Sequence, residues 1–568
     1  MDALFNALIE ICKKLQVVSD FLWEFPCNLD WYANIPILGN FSIAIILLVG
    51  TGIFFTFRFG FVQFRYFGAG IRTLFGSVKK RRGISPLASF LLSSAMRVGP
   101  GNILGVTGAI SIGGPGALLW MWVSALFAMA TSFAESTLSQ IFKEKHENEY
   151  VGGMAYYGRK LCGGLFGVGV ALSLLYIIYA FLCLPAQGFN TISGILSLGQ
   201  LFTGESFEGN SPVGWTAFII MMIFIAILAF GGIRKITKFT DICVPIMAVA
   251  YFITCFILIA INYNKIPWFF YAVFTEAFMP QAIFGGAFGV ALSQGIRRGL
   301  MSNEAGQGTI SMPAAASDAK HPCEQGNVQS IGVFFDTVVI CTPTAFIVIM
   351  SQAWLTNGWF DLGKLDKFVA SCGIMSGGDG IGTQFVFLIV CVCFSLFAIT
   401  TLIGFISFTE ICAKRISTSK IFIFIIRLIC LFVIVFGVLC NFAGLDLSAL
   451  WNLSDMANIL MVYCNIPLLF LGLKYTERAL NHYNVYHKFF DAKDNIVKYE
   501  RRKKALEKQC EITNQDPLGN TSYMRLLEAI EENKAYVKEH EHEYWRFTSE
   551  VAGVSLPVWD EKREKDEL

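Results

Sequence analysis

The chain has 568 residues, of which 55% are hydrophobic and only 15% are charged. A typical soluble domain carries about 25% charged residues, and a mean hydropathy of +0.56 does not fit a water-facing surface. The net charge of +2 supplies no basic excess to neutralise phosphates. The composition therefore argues against a soluble enzyme or a nucleic-acid binder, and it predicts an all-α polytopic membrane protein.

The charges are unevenly distributed along the chain. Residues 1–474 are about 11% charged, whereas more than a third of residues 475–568 are charged. This predicts an external or interfacial segment at 1–34, a membrane-embedded core at 35–474 and a charged cytoplasmic tail at 475–568. The six histidines all avoid the apolar runs, which argues against haem or metal within the membrane, so we expect no cofactor.

Eleven apolar runs approach the length of about 20 residues that a bilayer-spanning helix needs. They lie at 35–57, 86–112, 116–142, 165–187, 213–233, 241–262, 273–301, 326–351, 383–410, 420–440 and 452–473. With an external N-terminus, 20 Lys and Arg residues fall in inside loops and five in outside segments. This bias predicts a multi-pass protein of the plasma (bacterial inner) membrane with the N-terminus outside and the C-terminus in the cytoplasm.

Two of the predicted spans are interrupted by glycine and proline. Val98 to Gly101 breaks the span at 86–112, and Gly285 to Gly289 breaks the span at 273–301. Ten predicted spans follow the first one, and the two interrupted spans are the first and the sixth of these ten. They therefore occupy matching places in two halves of five helices each, which have opposite orientations in the membrane. The halves cover about 86–262 and 273–473. Paired breaks of this kind indicate the binding site of a transporter. Backbone N–H groups that are freed by a break can bind a carboxylate, and freed backbone carbonyls can bind a cation. The alternative is that both breaks are simple kinks whose glycines allow close helix packing.

Three polar residues within the spans are candidates for function. Arg97 stands deep in its span, where an arginine costs about 2.5–3.5 kcal/mol on insertion scales. We therefore expect it to form an ion pair with an acidic residue at a gate of the transport pathway. The alternative is an ion pair with a purely structural role. The candidate partners are Glu135, Asp336 and Glu410. Thr400 and Thr401 could complete an all-oxygen cation site, although threonines in helices also bond back to carbonyls.

Several motifs resemble those of the alanine or glycine:cation symporter family. They are Arg97 to Val106, Gly113 to Trp122, Gly152 to Tyr157, Arg298 to Gly308, Asp336-Thr337 and Phe59 to Arg65, and the resemblance covers roughly residues 50–475. It implies a symporter that couples Na⁺, less often H⁺, to the uptake of a small neutral amino acid by alternating access, with alanine or glycine as substrate. It also implies the five-plus-five inverted-repeat (LeuT-like) fold of the neurotransmitter:sodium symporters, with one extra N-terminal helix.

The resemblance further implies two sets of site residues. The substrate-binding set is Val98, Gly99, Gly101, Asn102, Gln187, Asn190, Gly285, Gly286, Ala287, Phe288, Thr401 and Phe405. The Na⁺ set is the carbonyls of Ala95, Val98 and Phe397 with the hydroxyls of Thr400 and Thr401. Two residues depart from the family pattern, Pro100 where a threonine is common and Phe405 where a tryptophan is usual, so the identity of the amino acid stays open.

The family resemblance does not extend to the tail. Residues 500–511 and 523–544 are predicted to be helical, in either a solvated tail or a partner-binding, regulatory module. A hypothesis from another class is a transport-inactive membrane receptor that senses amino acids and signals through this tail. The predicted partners are the substrate, Na⁺ and the lipid bilayer, and no nucleic acid is expected to bind. The oligomeric state and the ion stoichiometry stay open.

Overall fold

The computed structural model describes residues 2–35, 38–76, 83–146, 149–203, 207, 209–278, 287–356, 358–378, 380–445, 447–513, 516–517, 520–539 and 547–560. Helices α1 to α20 are, in chain order, Asp2–Glu24, Ile43–Arg58, Phe67–Phe75, Pro86–Arg97, Gly101–Gly113, Ala117–Ile141, Met154–Leu161, Phe166–Thr203, Pro212–Ala229, Ile233–Ile261, Ile266–Phe278, Ala287–Asn303, Ser311–Ala316, Pro322–Ser351, Lys364–Met375, Ile381–Ile416, Lys420–Phe442, Leu447–Leu471, Leu473–Thr513 and Thr521–Glu539.

Short elements connect these helices. One-turn helices lie at Asp30–Ala33, Val62–Arg65, Ser549–Ala552 and Pro557–Asp560, and 3₁₀ turns lie at Leu38–Asn40, Tyr263–Lys265, Ala353–Leu355 and Trp359–Asp361. An antiparallel hairpin follows α6, with strands β1 (Glu144–His146) and β2 (Glu149–Val151).

Eight of the described helices are long and apolar enough to cross a bilayer, namely α6, α8, α9, α10, α14, α16, α17 and α18. They correspond to eight of the predicted spans. The other three predicted spans appear as shorter pieces: α2 alone, α4 with α5, and α11 with α12 on either side of 279–286, which are outside the described residues. The structure therefore shows the predicted break in the first unit of the core. The break in the sixth unit lies largely outside the described residues and stays a prediction, as does the total of eleven spans.

Close approach of the helices depends on glycine at particular positions. A Cβ on Gly437 of α17 would lie 2.0 Å from the carbonyl oxygen of Pro185 on α8, and a Cβ on Gly188 would lie 2.7 Å from that of Ile434. Small residues let helix backbones touch within a membrane, where van der Waals packing replaces the hydrophobic effect. The pair α8 and α16 shares an extensive contact, and α4 packs against α10 and α16, which places the break after α4 among long helices.

The tail packs against one end of the helix bundle, which we call the tail face. Arg72 Nη1 lies 3.0 Å from Asp491 Oδ1 of α19, and the ring of Phe142, just after α6, packs against Tyr475 with centroids 5.3 Å apart. The first tail helix is longer than predicted because α19 begins at Leu473, directly after the last membrane helix. The second, α20, ends at Glu539, and residues 540–546 lie outside the described part of the chain.

Candidate substrate and cation site

The first helix break separates α4 from α5. The backbone of Val98 leaves the helical region (φ −78°, ψ 82°), and Pro100 has no N–H, so the carbonyl of Met96 has no helical donor. A Cβ on Gly99 would lie 2.7 Å from Thr401 Oγ1 of α16. Glycine at this position therefore lets the broken backbone lie directly against α16.

Asn102 stabilises the break from its far side. Its Oδ1 accepts the N–H of Gly99 at 2.9 Å, and its Nδ2 donates to Asp336 Oδ1 at 2.6 Å and to Ser302 Oγ at 3.1 Å. The N–H of Gly99 is thereby turned away from the carbonyl of Ala95, its acceptor in a continuous helix. Asn102 thus links the break to α12 and α14.

Oxygen atoms of α4 and α16 meet beside the break. Thr401 Oγ1 lies 3.3 Å from Ala95 O and donates to Phe397 O at 2.8 Å, and Thr400 Oγ1 donates to the same carbonyl at 3.0 Å. Each hydroxyl keeps lone pairs that can coordinate a cation. Four of the five oxygens predicted to bind Na⁺ therefore form one contiguous group, and an all-oxygen set suits a small hard cation.

A small cavity lies at the same break, between α4, α5, α8, α12, α16 and α18. The predicted residues in its lining are Gly99, Gly101, Gln187, Thr401 and Phe405. The sequence analysis missed other lining residues, among them Tyr179, Glu304, Ser454 and Asn458. Glu304 gave one usable signal, because acidic residues are rare in the membrane core and this one stands at the end of a broken span.

Charged groups of both signs line the cavity. Glu304 is 5% exposed, and its Oε2 accepts a hydrogen bond from Thr309 Oγ1 at 2.7 Å. Arg97 is 1% exposed. Gly101 also lines the cavity, and its N–H has no acceptor among the described hydrogen bonds. A carboxylate, a guanidinium and an available N–H in one cavity complement the ammonium and carboxylate of an amino acid.

The remaining predicted substrate residues lie elsewhere. Buried outside the cavity lining are Val98, Asn102 and Asn190. Both amide atoms of Asn190 lack a hydrogen-bond partner among the described residues. Gly285 and Gly286 fall outside the described residues, and Ala287 and Phe288 are described only as the first backbone positions of α12. The binding roles of all these residues stay predictions.

Arg97 is held by neutral groups. Its Nε donates to Asn303 O at 3.2 Å and its Nη2 to Gln329 O at 3.2 Å, and no described carboxylate lies within 4.0 Å of it. The three acids whose charge stabilises it are Asp336, Glu304 and Glu135. The third candidate, Glu410, instead pairs with Arg427 Nη2 at 2.6 Å and with Lys414 Nζ at 3.0 Å.

A buried ion pair joins α12 to α18 beside the cavity. Arg298 Nη1 and Nη2 lie 3.2 and 3.0 Å from the two carboxylate oxygens of Asp455, which neighbours the cavity residue Ser454. Arg297 and Arg298 are two of the 20 basic residues assigned to the inside by sequence, but both are less than 10% exposed within α12 and can be left out of the loop count. Eighteen basic residues then remain on the inside against five outside, so the bias that predicts the topology persists.

Comparison with known proteins agrees with this architecture. A model of the Sodium:alanine symporter family matches residues 31–497. The probable sodium/glutamine symporter GlnT of Bacillus subtilis is 36% identical over 450 residues, covering 78% of this chain and 88% of that protein. The sodium/alanine symporter AgcS of Methanococcus maripaludis is 33% identical over 428 residues, covering 74% of this chain and 90% of that protein.

A solved structure is similar in fold. The crystal structure of MhsT in complex with L-phenylalanine superposes with a TM-score of 0.51 at 15% identity, over 70% of this chain and 90% of that one. The apolar helices, the broken first helix of the core and these similarities therefore define an integral membrane transporter with the predicted LeuT-like, inverted-repeat fold. The chain belongs to the sodium:alanine symporter family, which confirms the resemblance inferred from the motifs.

Proposed function

We propose that this protein couples the inward movement of Na⁺ to the uptake of a small neutral amino acid, alanine or glycine, by alternating access. The observation that carries the proposal is the contact of Thr401 Oγ1 with both Ala95 O and Phe397 O, directly beside Gly99. A cation between α4 and α16 would link the broken helix to its neighbour, so that ion binding and substrate binding depend on one another.

The substrate would bind at the break with its carboxylate near the N–H of Gly101 and its ammonium near Glu304. A helix N-terminus favours a negative group, and a buried carboxylate forms a charge-assisted hydrogen bond with an ammonium. Tyr179 and Phe405, whose ring centroids are 5.6 Å apart, would limit the size of the side chain. Related proteins are named for alanine and for glutamine. The family alone therefore does not select the substrate, and the size of the cavity in this chain would select between the two amino acids.

The test is uptake of labelled alanine into proteoliposomes that contain the purified protein. Uptake should collapse when choline replaces Na⁺ at constant pH, and unlabelled alanine or glycine should compete better than glutamine. Uptake that is independent of Na⁺ but depends on a pH gradient would assign H⁺ as the coupling ion. Uptake that ignores both gradients would refute the proposal.

The orientation is proposed on the charge bias, with the tail face in the cytoplasm. The tail face carries Arg58, which pairs with Glu477, and Arg72, which pairs with Asp491. The comparisons offer no support for a receptor without transport. That alternative predicts amino-acid binding without flux, which the same proteoliposomes would reveal.

A further inference from the structure

The C-terminal segment 547–560 is folded onto the tail face. Phe547 is 1% exposed and Trp559 is 5% exposed, so both rings are buried although the tail is rich in charged residues. Hydrogen bonds join the two ends of the segment. The N–H and the hydroxyl of Ser549 donate to the carboxylate of Asp560 at 2.9 and 2.5 Å. The segment also lies beyond residue 497, where the family match ends. The folded segment therefore lies outside the part of the chain that the family model matches.

The two buried rings of the segment rest on the end of α6 and on the start of α14. Trp559 Nε1 donates to Gln140 O at 2.8 Å, and Lys143 Nζ lies 4.7 Å from the centroid of the same indole ring. The ring of Phe547 packs against His321 at 5.4 Å and against Trp559 at 5.7 Å. A hydrogen bond, a cation–π contact and aromatic packing thus together hold the two rings of the segment against the tail face.

A third contact positions the middle of the segment. Arg478 Nη1 of α19 donates to Ala552 O at 2.8 Å. The next residue, Gly553, has φ +68°, and a Cβ there would lie 2.0 Å from the same guanidinium nitrogen. Only glycine takes this conformation without strain and leaves room for the arginine. The segment therefore packs against α19 through a specific contact that depends on glycine at position 553.

The residues beneath the segment also hold the base of α4. Gln140 Nε2 and Lys143 Nζ donate to Ser317 O at 2.9 and 3.1 Å. The loop that contains Ser317 pairs with the chain just before α4, where the N–H of Ile84 donates to Ala316 O at 3.1 Å. Because α4 runs from this pairing to the cavity, one series of contacts connects the segment to the helix that forms the site.

We propose that the segment 547–560 is a clamp that holds the base of α4 closed on the tail face and thereby slows transport until it is released. The proposal rests on the transport function proposed above. In this proposal, the cavity opens toward the tail face by separation of Ile84 from the loop at Ala316, and the clamp stabilises the residues that maintain this pairing. Loss of the clamp should shift the population toward the open state without touching the Na⁺ or substrate residues.

The test compares the full-length protein with the double variant Phe547→Ala/Trp559→Ala in proteoliposomes. We expect the variant to take up labelled alanine at least about threefold faster at saturating Na⁺, with an unchanged Na⁺ dependence. Hydrogen exchange of the amides of 314–318 should also become faster. Val497→Ala is the matched control, because Val497 is 52% exposed on α19 and its truncation leaves the clamp in place.

Each result bears on one proposal. Faster exchange across 547–560 with uptake that is unchanged or slower would overturn the clamp, as would unaltered exchange at 314–318. Absence of uptake in the wild-type protein as well would refute the transport function instead, while the exchange data would still show whether the segment stabilises residues 314–318. If the double variant does not fold, Gly553→Leu provides the same test, since a side chain there would collide with Arg478 and displace the segment.

Discussion

Replacement of Thr401 by valine tests the cation site most directly. Valine keeps the shape of the side chain but removes the oxygen that lies 3.3 Å from Ala95 O and 2.8 Å from Phe397 O. An interaction of a polar group with a charge contributes about 1.5–3 kcal/mol, and each 1.4 kcal/mol changes an equilibrium about tenfold. We therefore expect half-maximal uptake to require a roughly 10- to 150-fold higher Na⁺ concentration, measured as initial rates of alanine uptake over a Na⁺ series.

Two further variants make the result interpretable. Thr401→Ser keeps the hydroxyl and should retain most of the Na⁺ affinity. Thr254→Val is the matched control, because Thr254 is a 3% exposed threonine whose hydroxyl bonds back to Ala250 O at 2.9 Å on α10, away from the break. An unchanged Na⁺ dependence in Thr401→Val, or an equal change in Thr254→Val, would contradict the assignment of this oxygen as a ligand.

Four more predictions concern the site and the tail. Gly99→Ala would place a methyl group 2.7 Å from a hydroxyl of α16, so uptake per folded protein should fall at least about tenfold. Glu304→Gln keeps the shape of the side chain but removes its charge, and the amino-acid concentration for half-maximal uptake should rise about tenfold or more with little change in thermal stability; an unchanged value would exclude an ammonium contact. Asp455→Asn leaves the Arg298 guanidinium buried without its charge partner, at a cost of about 3–5 kcal/mol, and a thermal melt should show it, whereas Arg298→Met/Asp455→Leu should recover part of the loss. Burial among the aromatic rings of the tail holds the pKa of His321 well below its usual value; the docked state is thus fully favoured above about pH 6.5 and loses stability as the pH falls below it. The protection factors of the tail amides, which are corrected for the intrinsic pH dependence of exchange, should therefore fall on acidification, and His321→Gln should remove the part of that fall that comes from this imidazole.

Features that depend on local composition could be predicted from the sequence. Eight of the predicted spans coincide with long apolar helices because hydropathy over about 20 residues decides membrane insertion. The break at Val98 to Gly101 follows from the backbone chemistry of Pro100 and its flanking glycines. The family followed from motifs long enough to be specific, and the comparisons confirm it.

Features that depend on contacts between distant residues could not be predicted in the same way. Glu304 follows a span that reads only as broken and apolar, and nothing local shows that it reaches the cavity. Arg298 stands near the end of its predicted span, and nothing local shows that it pairs with Asp455, more than 150 residues away. The candidate partner Glu410 was equally plausible by spacing until its pairing with Arg427 became visible.

The sequence by itself determined that this is a membrane transporter whose first core helix is broken, because hydrophobicity and helix-breaking residues act within a single segment. Only the tertiary structure decided which groups meet at the first break, since Ala95 and Thr401 are 306 residues apart. It also decided that a charged tail, which composition alone describes as solvated, buries two aromatic rings against the end of α6 and the start of α14. Burial depends on the partner surface, and no local pattern of charge reveals that surface.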